Sequence, residues 1–153
     1  MSPAIGSAAA RETSRETMAR ARARAALIPD LLVEAKKVAG NVFAAPTPDI
    51  IYETTKAIHR GKGVIYLYGN YAGDNMNFDI AAEMLEEDEG ITVKTVRVTD
   101  DVAAAPPERV HDRRGIAGDV YMIKIAGGAS AELTTLDEVE RVARKAVANI
   151  RSM

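Results

Sequence analysis

The sequence predicts one α/β domain built on a mainly parallel sheet with flanking helices, and three observations carry that expectation. A short apolar run, Val64 to Tyr68, is followed by Phe78, Ala81, Ala82 and Leu85 at helical spacing and then by a second strand-like run, Ile91 to Thr99. The turn that joins the first two, Tyr68-Gly69-Asn70-Tyr71-Ala72-Gly73-Asp74-Asn75, falls at the carboxyl end of the first strand, where open α/β sheets hold their ligands. Finally, 153 residues with 47% hydrophobic content can bury one core, whereas two domains would each be marginal.

Element by element, residues 1–38 read as an Ala/Arg-rich arm followed by a helix. Arg residues are dense from Ala8 to Ala26, but Glu12 and Glu16 interrupt them, which favours an arm or helix over a transit-like peptide. Leu31, Leu32, Ala35 and Val38 then recur at helical spacing, with Gly40 able to close the last turn. Thr47-Pro48-Asp49 has the form of a helix start, a capping hydroxyl followed by proline and an acid in the first turn, and predicts a helix to about His59. Gly61 and Gly63 break it before Val64 opens the strand. Asp74 or Asn75 is placed to cap the next helix, which should close near Gly90. Val93, Val96 and Val98 mark the second strand, giving a βαβ unit with a right-handed crossover. Val120 to Ile125 fits a short strand or a buried helical turn. Thr135-Leu136-Asp137-Glu138 is a capping box opening a last helix, with Leu136, Val139, Val142, Ala143 and Ala146 on its buried stripe.

Composition excludes several classes of function. A formal charge of -2, with basic residues scattered beyond the N-terminal segment, leaves no electrostatic footprint for nucleic acid. Without cysteine there is no disulfide, thiolate metal site or cysteine nucleophile, and no oxidising compartment is indicated. Apolar runs are too short to span a bilayer, so the expected protein is cytoplasmic with no membrane partner.

The turn at Gly69 to Asp74 has neither the Gly-Lys-Ser/Thr ending nor the dinucleotide glycine spacing of a phosphate loop, and Asp74 sets negative charge where a phosphate would need bare amides. It suits a neutral polar ligand. Asp74 itself reads either as a helix cap or as a sugar or polyol ligand, held ionised by the helix dipole and accepting hydrogen bonds from hydroxyl groups. His59 reads as a helix-end residue, and His111, beside Asp112, Arg113 and Arg114, as an exposed loop residue or an anion contact. Asp100-Asp101 fits turn residues or caps better than a cation site, and Ala126-Gly127-Gly128-Ala129 suggests close packing or a tight turn.

In order, Gly40-Asn41-Val42-Phe43-Ala44-Ala45-Pro46-Thr47-Pro48-Asp49, Asn70-Tyr71-Ala72-Gly73-Asp74 with Met76-Asn77-Phe78, Thr99-Asp100-Asp101-Val102-Ala103, Arg113-Arg114-Gly115-Ile116-Ala117-Gly118, Lys124-Ile125-Ala126-Gly127 and Arg151-Ser152-Met153 form six blocks. Together, over residues 39–153, they resemble a partial DhaK domain of the dihydroxyacetone kinase family, in wording nearest the branch that acts on ketotetroses such as erythrulose. The resemblance implies a short-chain ketose as ligand. It also implies a homodimer, and ATP or ADP with magnesium carried by a separate DhaL-type domain or subunit, so that this chain binds no cofactor and no metal. Asp74 matches the family aspartate that contacts and activates the substrate hydroxyl, and Asn70, Gly69 and Ala45 fall at substrate-lining positions.

Departures from the family pattern are specific. Ala45 stands where many relatives have serine, and Gly69 where the dihydroxyacetone branch has lysine. The glycine-rich segment with the proton-transferring histidine has no counterpart upstream of Gly40, and the histidine that forms the covalent hemiaminal lies in a part of the pattern beyond Met153. His59 and His111 belong to other blocks. The expectation is a substrate-binding part, inactive alone, or else a non-catalytic ketose-binding or partner-binding module; with sheet edges and apolar surface exposed, it should self-associate.

Overall fold

The computed structural model describes residues 44–153, so the N-terminal arm, the helix expected over Leu27 to Val38 and the first residues of the Gly40 block lie outside the described residues. The described chain runs α1 (Pro48–Ile58), β1 (Val64–Gly69), α2 (Ala72–Glu89), β2 (Val93–Val98), a 3-10 turn (Pro107–Asp112), α3 (Gly118–Glu132) and α4 (Leu136–Asn149). β1 and β2 pair in parallel, from Val64 opposite Val93 to Gly69 opposite Val98, with α2 as the crossover. That is the βαβ unit the sequence predicts.

Side-chain alternation along the strands sorts the helices into two layers. Val64 and Tyr66 face one side and pack with Ile51 of α1 and Ala81 and Leu85 of α2. Ile65, Val96 and Val98 face the other and pack with Met122 and Ala126 of α3 and Val139 and Ala143 of α4. The charged residues of β2 obey the same parity. Lys94 reaches Asp137 and Glu140 of α4, while Arg97 on the opposite face makes a two-toothed contact with Asp79 of α2 and donates to the Tyr68 hydroxyl at 3.1 Å. Within the first layer, the Tyr66 and Thr55 hydroxyls share a 2.8 Å hydrogen bond, and the Phe78 ring stacks on Tyr68 at a centroid distance of 4.5 Å. These contacts fix α2, and with it the turn at its head, against β1.

Several local expectations need correction. Thr47 precedes α1, but its hydroxyl makes no cap; the helix begins on Pro48, whose fixed φ suits the first turn. Neither Asp74 nor Asn75 caps α2, because the extended residue ahead of the helix is Tyr71, which places Asp74 inside the first turn. The ambiguous segment Val120 to Ile125 is helical and belongs to α3, whose buried residues Gly118, Met122, Ala126 and Ser130 recur every fourth position. Gly127 and Gly128 lie within that helix, and a Cβ on either would meet nothing within 4 Å, so they mark neither close packing nor a turn. Gly90 closes α2 in the left-handed region at φ 63°, and the Thr135–Glu138 capping box opens α4, both as predicted.

Candidate functional site

The site is assembled at the carboxyl end of the sheet by three chain segments. β1 ends on Gly69, buried against the backbone of Gly115 so closely that a Cβ on Gly115 would overlap the Gly69 Cα. Only a pair of glycines permits that approach. Asn70 then ties the turn down. Its amide nitrogen donates to the carbonyls of His111 and Arg113, each at 2.8 Å, and its oxygen accepts from Asn75 at 2.8 Å. The Tyr71 hydroxyl donates to the Gly115 carbonyl at 2.8 Å. The turn and the loop before α3 are therefore one hydrogen-bonded unit.

The third segment is the approach to α1. Ala45 lies against the first turn of α2, its Cβ 3.4 Å from where a Cβ on Gly73 would sit, and Asn77 donates to the Pro46 carbonyl at 2.8 Å. Gly69, Asn70, Asp74 and Ala45 are thus gathered around one turn. Their chemical capacities differ. Asn70 spends both amide hydrogens on backbone carbonyls, and Ala45 and Gly69 offer shape but no polar side chain. Asp74, half-buried in the first turn of α2, is the acid among them.

The electrostatics correct one expectation. Burial pushes the Asp74 carboxyl above its ordinary value, outweighing the hydrogen bond from its own backbone amide that favours the ionised form. A raised carboxyl is a stronger proton acceptor than a surface aspartate. Asp100, fully buried at the end of β2, behaves oppositely. Burial pushes it up, but hydrogen bonds from the Ser152 side chain and from the amides of Ile116 and Gly118, both at 2.8 Å, win and hold it below the usual carboxylate range. It anchors the start of α3, and Asp101 accepts from the Ala103 amide in a local turn, so this pair has the cap-and-turn role.

Sequence reasoning missed Asp119. It stands in the first turn of α3, and its Oδ2 lies 3.1 Å from the position of a Cβ on Gly69. Burial first, then the charges of Asp100 and Asp74, push its carboxyl up to about 6. An acid directly after the glycine-bounded block Gly115 to Gly118 was the available signal; what hid it was the unresolved identity of the next segment as strand or helix.

Neither histidine joins this group. His59 follows α1 at the opposite end of β1, where its Nε2 accepts from the Gly61 amide at 3.2 Å. His111 exposes its ring in the 3-10 turn beside Asp112 and contributes only its carbonyl, to Asn70. A cleft of about 450 Å³ opens near His59, Lys62 and Lys94 at the amino end of the sheet. Two of its polar side chains are engaged within the fold, Lys94 with Asp137 and Glu140 and the Thr135 hydroxyl with Glu138.

A polar turn with a half-buried acid stands at the carboxyl end of a parallel strand pair, the place where open α/β sheets hold their ligands. Residues 28–153 match the Dak1 domain. The chain belongs to that family of dihydroxyacetone kinase domains. It is 52% identical over 116 residues to the dihydroxyacetone-binding subunit DhaK of PTS-dependent dihydroxyacetone kinase 2 from Listeria innocua, a match covering 76% of this chain and 34% of that protein. It is 49% identical over 107 residues to L-erythrulose 1-kinase of Mycolicibacterium smegmatis, covering 70% of this chain and 19% of the other. In structure it is similar to the dihydroxyacetone kinase of C. freundii, with a TM-score of 0.66 at 34% identity over 72% of this chain and 20% of that one. It is also similar to the dihydroxyacetone kinase operon co-activator DhaQ, with a TM-score of 0.60 at 29% identity, covering 68% of this chain and 32% of that one. The chain therefore spans about a third of the DhaK subunit and about a fifth of the erythrulose kinase.

Proposed function

We propose that this chain is the substrate-binding part of a dihydroxyacetone or ketotetrose kinase, in which the turn after β1 receives a hydroxyl of a short-chain ketose. The observation that carries the reading is the half-buried Asp74, its carboxyl raised by burial, on a turn held rigid by Asn70 and Tyr71 in a domain of the Dak1 family. Asp74 accepts the hydroxyl's hydrogen bond and, in phosphoryl transfer, takes its proton as the hydroxyl oxygen bonds to the donor's terminal phosphorus and the phosphorus–oxygen bond to the rest of the donor breaks, releasing it. Gly69 and Ala45 line the place of the ketose, and Asn70 holds the turn in position. The phosphoryl donor arrives on a separate DhaL-type domain or subunit carrying ATP or ADP with magnesium. The working form is a cytoplasmic homodimer.

Calorimetric titration of the chain with dihydroxyacetone and with erythrulose tests the reading. Wild type is expected to bind, and Asp74→Ala to bind at least about tenfold more weakly, the loss expected for a hydrogen bond to a charged acceptor. Equal affinity in the two proteins would remove Asp74 from the site.

A second reading is favoured by the likeness to the operon co-activator: a ketose-binding module that performs no phosphoryl transfer. Mixing the chain with a DhaL subunit and ATP separates the two. Ketose binding without phosphorylated product supports the module.

A further inference from the structure

Among the described residues β1 is paired on one side only. Val64 and Asn70 donate to the Thr92 and Val98 carbonyls, and backbone direction alternates along a strand, so the even-numbered residues of β1 face β2. The amides of Ile65, Leu67 and Gly69 therefore point to the other side, where no described residue accepts from them. Ile65 and Gly69 are nonetheless buried residues. Buried amides are almost always paired, so this row calls for acceptors on a neighbouring extended segment.

The path of the chain into α1 identifies that segment. Ala45 packs against the first turn of α2 and the Pro46 carbonyl accepts from Asn77, so the residues just before them arrive at the carboxyl end of β1. α1 then carries the chain back to the start of β1, on the same face of the sheet as α2. Crossovers between parallel strands are right-handed, and two crossovers of one hand with their helices on one face step across the sheet in the same direction. Since α2 steps from β1 to β2, a strand feeding α1 lies on the side of β1 away from β2 and runs parallel to it.

The surface of α1 agrees. Tyr52 and Lys56 reach Glu89 of α2, whereas Ile50, about 200° round the helix from Tyr52, faces the open side and is 42% exposed. Val42 and Phe43, directly before the described residues, supply apolar side chains to cover it, and the Dak1 match, which begins at residue 28, includes them.

We propose that the open edge of β1 is the docking site of residues 39–43 of this same chain, which lie along it as a third parallel strand and accept from the Ile65, Leu67 and Gly69 amides. Five residues are enough to present acceptors to three alternate amides. The docked segment ends at Ala44 and so holds the Ala45 wall of the turn in place. It leaves the opposite edge, along β2, untouched.

NMR of the isotopically labelled wild-type chain tests this. The Ile65, Leu67 and Gly69 amides are expected to exchange with solvent as slowly as those of Tyr66 and Tyr68, which face β2, and to show cross-strand nuclear Overhauser contacts with residues 39–43. In a mixture of labelled and unlabelled chains those contacts should stay within one chain. Loss of protection at the three amides, or the lack of any contact between them and residues 39–43, would overturn the proposal. Contacts that cross from labelled to unlabelled chains would overturn it too, assigning the edge to a second copy.

Discussion

Asp119 carries its environment into the stability of the fold. Its carboxyl is raised from 3.8 to about 6 in the fold, so the folded state holds the proton more tightly than the unfolded chain does. The stabilisation this gives is complete below about pH 4 and is lost as pH rises through about 6. Asp119→Asn removes the dependence. It is expected to exceed wild type in stability above pH 6 by roughly 1–2 kcal/mol, after allowance for partial exposure, with the difference shrinking toward pH 4. Urea unfolding of both proteins at pH 4, 6 and 7.5 measures it, and a difference constant across that range would contradict the assignment. At Gly115, the Cβ of Gly115→Ala would overlap the Gly69 Cα, and backbone on both sides leaves little to yield. A loss of about 2–3 kcal/mol is expected in thermal unfolding, the range of severe overpacking.

Among the elements, α4 begins with a capping box in which the Thr135 hydroxyl accepts from the Glu138 amide at 3.3 Å while Glu138 returns to the Thr135 amide at 3.2 Å. Thr135→Ala should cost about 1 kcal/mol, read as a lower denaturation midpoint with an unchanged slope. This element was fully legible in the sequence because its signal is local: four residues define the box, and Val139 and Ala143 follow on the buried stripe. β1, α2 and β2 were legible for a similar reason, since short apolar runs and a glycine stop mark their bounds. α3 was ambiguous because Val120, Tyr121, Ile123 and Ile125 blur the helical period, and only the burial of Met122 and Ala126 against Val96 and Val98 decides it. Within the site, Asp74 could be found from its place after a glycine-rich turn. Asp119 could not be placed beside Gly69, because that position depends on how the Gly115 loop is drawn across Gly69 by Asn70 and Tyr71.

Across the whole molecule, the described sheet has two strands, extended on the β2 side only by the single parallel bridge of Asp101 with Ser152. The outer face of α3 exposes Val120 and Tyr121, each 60% accessible, together with Ile125. An open strand edge and an apolar helix face are both sites of association. Sedimentation velocity at micromolar concentration is expected to show a dimer or larger species, and Tyr121→Lys with Ile125→Glu to shift it toward monomer. A clean wild-type monomer would refute this.

The glycine contact at the head of the sheet also shapes the routes open to this site over evolutionary time. Position 69 cannot acquire a side chain without pressing on the Gly115 Cα, the Tyr71 ring and the Asp119 carboxylate, all within 3.2 Å of its Cβ. A lysine there would find Asp119 as a ready counter-ion and would abolish the free carboxyl in the same step. A side chain at position 69 thus demands a matching change at 119, with Gly115 unchanged throughout, so these positions are expected to vary as a linked set among descendants of a common ancestor.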